Sequence, residues 1–297
     1  MKANPAEVSV GRQAIAAVSV RRLRRVSIGG VLLHLVLILG SCLMILPLFW
    51  MISSSLKDLS QIFLIPPKWI PDPFVWTNFE RSLQALPFGK AYFNSIYISL
   101  LVVFLQLFTC ALAAFAFAKV RFPFRDTLFI LFVAMLMVPE QVTIIPLYLI
   151  MKEIGWLDSH LSILVPPSLF SAFGVFLLRQ FFKTIPNDLE EAAIVDGASL
   201  PTIFFRIMLP LIKPSLSALG IFTFLYMWNN FFHPVIFLSS PDLFTVPLML
   251  NMFKGLYITD WTLMMAGSTI ALVPALIAYL FTQRYVIEGI AMTGIKG

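Results

Sequence analysis

Charged residues are scarce in this sequence. Lys, Arg, Asp and Glu make up 12% of the 297 residues, about half the roughly 25% of an ordinary soluble domain. Cysteine is also rare, and Cys42 and Cys110 each lie in a long apolar run, where a thiol is usually a small apolar filler and not half of a disulfide. The sequence has no Gly-x-x-x-x-Gly-Lys-Ser/Thr phosphate loop. These absences argue against a soluble globular protein, a disulfide-stabilised domain and a chain that hydrolyses ATP itself.

Instead of the short periodic apolar stretches of a soluble protein, the sequence has long runs without Lys, Arg, Asp or Glu. The runs at 26–56 and 91–118 both exceed the roughly 20 residues that cross a bilayer as a helix. The runs at 161–178, 214–241 and 261–283 qualify in the same way. A sixth candidate, 127–151, is interrupted by Glu140. We therefore predict an all-α integral membrane protein with six transmembrane helices.

The distribution of basic residues predicts the orientation. With six helices alternating from a cytoplasmic N-terminus, 15 of the 21 Lys and Arg residues fall in the inside segments, which are 1–25, 119–126, 179–213 and 284–297. Because cytoplasmic segments of membrane proteins carry an excess of Lys and Arg, both termini are predicted to be cytoplasmic. This topology accounts for the net charge of +6, so no nucleic-acid partner is predicted.

The terminal segments and external loops follow from the same topology. We interpret residues 1–25 as a cytoplasmic N-terminal segment before a retained first helix, because the apolar run that follows is about twice the length of a signal-peptide core. The external loop 57–90 is rich in Pro and Trp, which end helices and suit the membrane interface. A second external loop is predicted at 242–260, and residues 284–297 form a cytoplasmic tail.

The segment 184–214, here called the elbow, carries helix signals of its own. Pro186 suits a first helical turn, the acidic residues after it suit the positive end of the helix dipole, and Gly197 supplies a left-handed residue that ends a helix. Ser199 suits the start of a second helix, which Pro210 and Pro214 close. The sequence predicts a helix, a sharp turn and a second helix, with small residues that keep its surface flat enough to lodge in a groove of another protein: Ala192, Ala193 and Ala198.

The elbow resembles the cytoplasmic coupling loop of ABC importer permeases. The matching pattern is Glu191-Ala192-Ala193, three residues, Gly197, nine residues, Ile207, one residue and Leu209-Pro210. In that family the loop docks onto the ATP-binding subunit, so the resemblance implies the same contact here. It gives a coupling role to eight residues: Glu190, Glu191, Ala192, Ala193, Asp196, Gly197, Ala198 and Pro210.

The resemblance covers residues 26–297, which correspond to the transmembrane domain of the family. Within that family the chain resembles the carbohydrate-uptake type, specifically the smaller permease of maltose-type importers. The stretches that carry this resemblance are 63–69, 115–124, 176–182 and 228–231. It implies a multi-pass permease subunit of the bacterial inner membrane that imports a sugar, an oligosaccharide or a related polyol.

The resemblance also implies the partners. They are a second homologous permease in a heterodimer, two ATP-binding subunits and a soluble solute-binding protein, besides membrane lipid. ATP and Mg²⁺ would bind to the ATP-binding subunits, so neither a cofactor nor an enzymatic activity is expected in this chain. Family members project an external loop into the binding protein, which here would be the loop 242–260 with Asp242, Lys254, Gly255 and Asp260.

Polar side chains within the spans are the remaining candidates. Thr223, Tyr226, Asn229 and Asn230 lie in the fifth predicted span, and since contact with lipid would be unfavourable, they are expected to face a partner helix or a solute pathway. Glu140 falls near the outer end of the third span, where a carboxylate suits either an interfacial role or a solute contact.

Two other classes of function predict different sequence patterns. An ion-coupled secondary transporter would place several ionisable residues in its spans and show related halves, and a membrane enzyme would cluster its reactive groups. Neither pattern is present apart from Glu140. His34 and His233 have no second ligand at metal-binding spacing, so no metal site is predicted. Glu140 and Asn230 depart from the family pattern, which leaves the solute open, including a non-sugar solute such as a glycerophosphodiester.

Overall fold

The computed structural model describes residues 28–169, 171–255 and 259–294. The predicted N-terminal segment 1–25, the last three residues of the predicted tail and the middle of the external loop 242–260 lie outside the described residues. Within the described residues the chain forms helices and no strands, with one isolated antiparallel bridge between Lys254 and Thr259.

The first helix, α1 (Ile28–Ser55), covers the first predicted span. Its residues up to Trp50 belong to one compact unit, and the chain from Met51 onward forms a second. The apolar side chains along α1 are exposed, for example Leu39 at 69% and Met44 at 84%. Exposed apolar side chains around a whole helix suit contact with lipid.

The second unit contains the other helices of the described chain. They are α2 (Leu59–Ile62), α3 (Thr77–Ala85), α4 (Phe88–Lys119), α5 (Arg125–Ala134), α6 (Glu140–Glu153), α7 (Leu161–Leu169), α8 (Ala172–Thr184), α9 (Asp188–Val195), α10 (Leu200–Leu211), α11 (Lys213–Trp228), α12 (Phe232–Phe237), α13 (Val246–Asn251) and α14 (Trp261–Gly294). The middle of α10, Ile203–Met208, is a π-helix.

Six spans are present in the described chain if two bent helix pairs count as spans. Four segments are long and apolar enough to cross a membrane unaided: Gly29–Ser55, Phe88–Lys119, Leu161–Thr184 and Trp261–Phe281. The pair formed by Arg125–Met137 and α6 is bent by 101°, and α10 meets α11 at 77°. The first bend follows from Pro139, which disfavours helical geometry at Val138, and Val138 is extended there.

The fifth predicted span, 214–241, is wrong as a single helix. The helix α11 ends at Trp228, and a separate short helix, α12, follows after three residues. The Asn230 Oδ1 atom accepts the His233 N–H at 3.1 Å, which helps to start α12 as a separate helix. Polar side chains that bond to the backbone favour such breaks over a continuous helix.

The second unit packs around α4. One apolar cluster contains Phe88, Ile98 and Trp228, and another contains Phe115 and Phe182 together with residues of the elbow. Helices α4 and α8 approach closely at Gly174, where an added Cβ would lie 2.7 Å from the Cys110 Sγ atom. The core thus holds the elbow directly against α4.

Segments predicted for the same side of the membrane contact each other. Among the predicted external segments, Lys90 Nζ pairs with Asp242 Oδ1 at 2.8 Å, and His160 Nε2 bonds to the Leu243 carbonyl at 2.7 Å. Among the predicted inside segments, Lys119 Nζ donates to the Ile185 carbonyl at 2.8 Å. These contacts agree with the predicted alternation of segments, whereas the cytoplasmic position of the termini stays a prediction.

Candidate functional site

The elbow consists of α9, a sharp turn and α10. The turn is at Gly197, whose φ is +79°, a left-handed conformation that glycine adopts without steric cost. The Gly197 N–H bonds to the Ile194 carbonyl at 3.0 Å, and the Ala198 N–H bonds to the Ala193 carbonyl at 2.9 Å. These bonds satisfy the end of α9 and fix the direction in which α10 starts.

The inner side of the elbow is buried in the core of the chain. Ala193, Ile203 and Phe204 are at most 8% exposed, and the Phe204 ring lies 5.3 Å from the Phe115 ring on α4. Lys119 Nζ also donates to Asn187 Oδ1 at 2.7 Å, just before α9. The elbow is therefore fixed to α4 by packing and by hydrogen bonds.

The outer side of the elbow exposes apolar residues. Six large apolar side chains are between 45% and 86% exposed: Leu189, Ile194, Val195, Leu200, Phe205 and Leu211. They lie on α9 and along α10. Clustered exposed apolar side chains on a rigid base are typical of a protein interaction site.

The eight predicted coupling residues do not share one face. Ala193 is buried in the core, Glu190 and Ala198 are half-buried, and the remaining five are exposed: Glu191, Ala192, Asp196, Gly197 and Pro210. Ala193 thus has an internal packing role, while its neighbour Ala192 is free to meet another surface.

The predicted binding-protein loop is tied to the rest of the chain at both ends. The Asp242 carboxylate pairs with Lys90, and its carbonyl accepts the Asn94 amide at 2.9 Å. At the other end, Asp260 Oδ1 accepts the Leu263 N–H at 3.1 Å and so caps α14. Lys254 and Gly255 lie between these anchors in an exposed stretch.

A cavity of about 690 Å³ lies among α4, α6, α7, α8 and α11. Its walls include three of the four predicted pathway residues, Thr223, Tyr226 and Asn230, and also Glu140. The fourth, Asn229, is not among the lining residues, because its side-chain amide bonds to the Leu225 carbonyl of its own helix at 2.8 Å. The volume falls in the range of small-molecule sites.

A polar cluster forms one wall of this cavity. The Glu140 Oε1 atom accepts the Tyr226 hydroxyl at 2.8 Å and lies 2.9 Å from His233 Nε2. The His233 Nδ1 atom is 3.2 Å from the Asn230 amide nitrogen. These contacts join α6, α11 and α12 through residues that are far apart in the sequence.

Residues 106–291 match the family described as the inner membrane component of binding-protein-dependent transport systems. The arabinooligosaccharides transport system permease protein AraQ of Bacillus subtilis is 32% identical over 275 residues, which cover 91% of this chain and 97% of that protein. The sn-glycerol-3-phosphate transport system permease protein UgpE of Yersinia enterocolitica is 33% identical, covering 86% of this chain and 94% of that protein. The chain belongs to this permease family.

The fold of the permease also resembles a solved structure. A chain of a bacterial ABC transporter involved in the import of the acidic polysaccharide alginate aligns with a TM-score of 0.77 and 22% identity, covering 88% of the permease and 98% of that chain. At this identity the likeness supports the fold alone. The family and its apolar helices identify an inner-membrane transport subunit, which confirms the first interpretation of the sequence over an ion-coupled secondary transporter.

Sequence reasoning missed two features of the permease cavity. The sequence showed no metal-ligand partner for His233 and did not reveal its contact with Glu140, because no local pattern links these two positions. Gln106 was not singled out although it lines the cavity and is only 8% exposed. Its signal was available, since a carboxamide in the middle of an apolar span needs a polar partner. Among the described residues no group of three or more His, Cys, Asp or Glu is arranged to hold a metal.

The contact between Asp158 and the Ser239–Ser240 segment is expected to be sensitive to acid. Hydrogen bonds from the Ser240 hydroxyl and from the Ser240 and Ser239 N–H groups hold the pKa of the Asp158 carboxyl below its ordinary value of 3.8. Because this pKa is lowered, the ionised carboxylate stabilises the contact fully when the pH is above the ordinary pKa. The stabilisation is lost as the pH falls through the lower pKa of the folded protein. We expect the Ser239 and Ser240 amides to lose protection only below about pH 4.

Hydrogen exchange of these two amides, normalised to an unstructured peptide, measures the effect. The Asp158→Asn variant is the control, because Asn tolerates the φ of +51° at this position but carries no titrating group. Its two amides should exchange faster at neutral pH and show no transition in acid. Equal protection of the wild-type amides at pH 3 and pH 6 would contradict this assignment.

Proposed function

We propose that this permease and a second, homologous permease form a heterodimeric passage for a sugar-like solute, and that its elbow docks onto an ATP-binding subunit. Two ATP-binding subunits, with ATP and Mg²⁺, would complete the assembly, and a soluble binding protein would deliver the solute. In this arrangement the permease itself binds no cofactor and catalyses no reaction.

The main support for this proposal is the structure of the elbow. Its outer side exposes six large apolar residues, while its inner side is packed against α4. A short helix that transmits movement needs a partner-facing surface and a rigid connection to the membrane helices. The elbow has both, and the helix that follows it, α11, leads to the wall of the cavity. Movement of the elbow would therefore reach Thr223 and Tyr226 through one continuous segment.

The loop 242–260 is proposed to contact the binding protein. Asp242 and Asp260 fix its two ends by side-chain contacts, so that Lys254 and Gly255 are presented from a defined base. Such a loop suits insertion into a cleft, because its anchors hold it while its exposed part adapts to the partner. The solute itself is proposed to be a sugar or oligosaccharide, in line with the arabinooligosaccharide permease among the relatives.

Isolation of the assembly from native membranes tests the proposal. We expect a tagged form of this permease to purify with a second permease and with an ATP-binding subunit in a 1:1:2 ratio. In proteoliposomes this assembly should hydrolyse ATP faster when the loaded binding protein is added. A transport-competent preparation that contains this permease as its single membrane subunit would overturn the heterodimer, and the absence of any ATP-binding subunit would overturn the coupling role.

A further inference from the structure

We propose that a pocket at the turn between α4 and α5 binds the headgroup of an anionic phospholipid, with an acyl chain of that lipid along the exposed side of α5. The pocket has a volume of about 420 Å³. Its lining residues are Arg121, Phe122, Phe124, Arg125, Asp126 and Thr127. The site is separate from the elbow and from the cavity among the spans, so the proposal does not depend on which solute is carried.

The pocket lies where two membrane segments meet the aqueous boundary. Helix α4 ends at Lys119, directly after the charge-free run 91–118, and α5 begins the next apolar segment at Arg125. The short connection between them therefore lies at the level of the lipid headgroups, on the side that is predicted to be cytoplasmic. Basic pockets beside spans on that side are typical binding sites for anionic headgroups.

The charge of the pocket is positive. Arg121 is exposed and makes no hydrogen bond or ion pair with a residue that the structure describes. The one carboxylate in the lining, Asp126, is already engaged: its Oδ1 atom accepts from Arg179 at 3.0 Å, and its Oδ2 atom lies 3.3 Å from a terminal nitrogen of Arg125. These two guanidinium groups outweigh the charge of Asp126, so Arg121 adds positive charge that no described carboxylate compensates.

The donors in the pocket suit a phosphate group. A guanidinium is planar and presents forked N–H donors that match two phosphate oxygens at once. Helix α5 also begins here without a side-chain cap, so its first N–H groups and the positive end of its dipole attract an anion in the same direction as the arginines. The phosphodiester of a phospholipid supplies both the negative charge and the acceptor oxygens that this pocket needs.

An exposed apolar stripe runs from the pocket along α5. Its four members follow each other at intervals of four, three and four residues and so share one side of the helix: Phe124, Leu128, Leu131 and Met135. They are 78%, 47%, 61% and 53% exposed. The stripe starts in the pocket itself, because Phe124 lines it. Its other end, Met135, lies directly after α5 and about three helical turns into the apolar segment.

The combination of pocket and stripe favours a lipid over the other anions that the arginines would attract. A free phosphate ion would use the pocket and leave the stripe uncovered. An acidic segment of an ATP-binding subunit would also suit the charge, but a soluble subunit does not extend past the headgroups to Leu131 and Met135. An anionic phospholipid carries a phosphate and an acyl chain in one molecule, so it covers both surfaces.

Native mass spectrometry of the permease, purified with its partner subunits and stripped of bound lipid, tests the proposal. The probes are dioleoyl phosphatidylglycerol, which is anionic, and dioleoyl phosphatidylcholine, which has no net charge. We expect the tightest-bound phosphatidylglycerol to bind about fivefold more tightly than phosphatidylcholine, the contribution of one Arg near an anionic lipid. Arg121→Gln should lose this preference. Leu131→Gln should weaken the binding of both lipids and keep the preference, because it changes the stripe and not the pocket.

The matched control is Lys213→Gln, which removes an exposed cation at the start of α11, on the same predicted side of the membrane but outside the pocket. It should bind both lipids like the wild type. Equal binding of the two lipids to the wild type overturns the proposal, and so does an Arg121→Gln variant that binds like Lys213→Gln. Displacement of phosphatidylglycerol by inorganic phosphate at constant ionic strength would show a site for free anions instead. Loss of the ATP-binding subunit from the Arg121→Gln complex would show that the pocket docks a protein.

Discussion

Replacing Gly197 with Val is expected to abolish uptake and solute-stimulated ATP hydrolysis together, while the permease still inserts into the membrane. The φ of Gly197 is +79°, and an added Cβ would meet no atom within 4 Å. The effect therefore comes from backbone strain and not from a clash. A β-branched residue in this conformation costs on the order of 1–3 kcal/mol, which the turn can relieve only by changing the angle between α9 and α10.

Two control variants separate the effect of the position from the effect of the substituted residue. Gly155 has a φ of +73° and equally open space, but it lies outside the elbow, so Gly155→Val introduces similar strain and should retain coupling. The Gly197→Asn variant should also retain most coupling, because Asn tolerates the left-handed region. Uptake and ATP hydrolysis in proteoliposomes are the measurements. Normal coupled transport by Gly197→Val would show that the turn is not a transmission element.

The positions of the spans could be predicted because their signal is local. A helix that meets lipid needs a long run without charge, and such a run is visible in the sequence whatever the helix packs against. The same signal cannot show where a run bends. The bend after Met137 follows from Pro139, which was visible, whereas the end of α11 at Trp228 depends on how Asn230 bonds to the backbone of α12.

The elbow and the cavity also differ in how far the sequence could predict them. The elbow could be predicted because its helix signals, Gly197 and its alanines lie within one segment of the chain. The predicted helix ends were less accurate, because Pro186 lies before α9, which begins at Asp188, and Pro210 lies inside α10, which ends at Leu211. Even so, the sequence did not reveal that Ala193 points into the core while Ala192 is exposed, because that depends on packing against α4. The contact between Glu140 and His233 joins residues with no shared local pattern, so it required the fold.

Removing the Arg179 guanidinium is expected to destabilise the permease far more than removing its charged partner. Arg179 is 6% exposed. Its Nε atom donates to the Phe117 carbonyl at 3.1 Å, a terminal nitrogen donates to Asp126 Oδ1 at 3.0 Å, and the guanidinium lies 3.7 Å from the centre of the Phe129 ring. These contacts join α8, which leads into the elbow, to α4 and α5.

The expected sizes follow from the exposure of each partner. Arg179→Met keeps much of the side-chain volume but removes charge-assisted hydrogen bonds and a cation–π contact, a loss on the order of 2–4 kcal/mol. The Asp126 side chain is 65% exposed, so water can replace its partner, and Asp126→Asn should cost much less stability than Arg179→Met. Arg179→Lys should fall between them, because an ammonium cannot reproduce the planar, forked donors.

Thermal unfolding of the three variants in the same detergent decides between two origins of this stability. If the ion pair were the source, Arg179→Met and Asp126→Asn would lower the unfolding temperature by similar amounts. If the hydrogen bond to Phe117 and the contact with Phe129 dominate, as we expect, Arg179→Met alone causes a large decrease. Because α8 continues into the elbow, the same variant should also reduce solute-stimulated ATP hydrolysis at temperatures where the protein is still folded. Full coupling by folded Arg179→Met would show that this contact serves stability and not the position of the elbow.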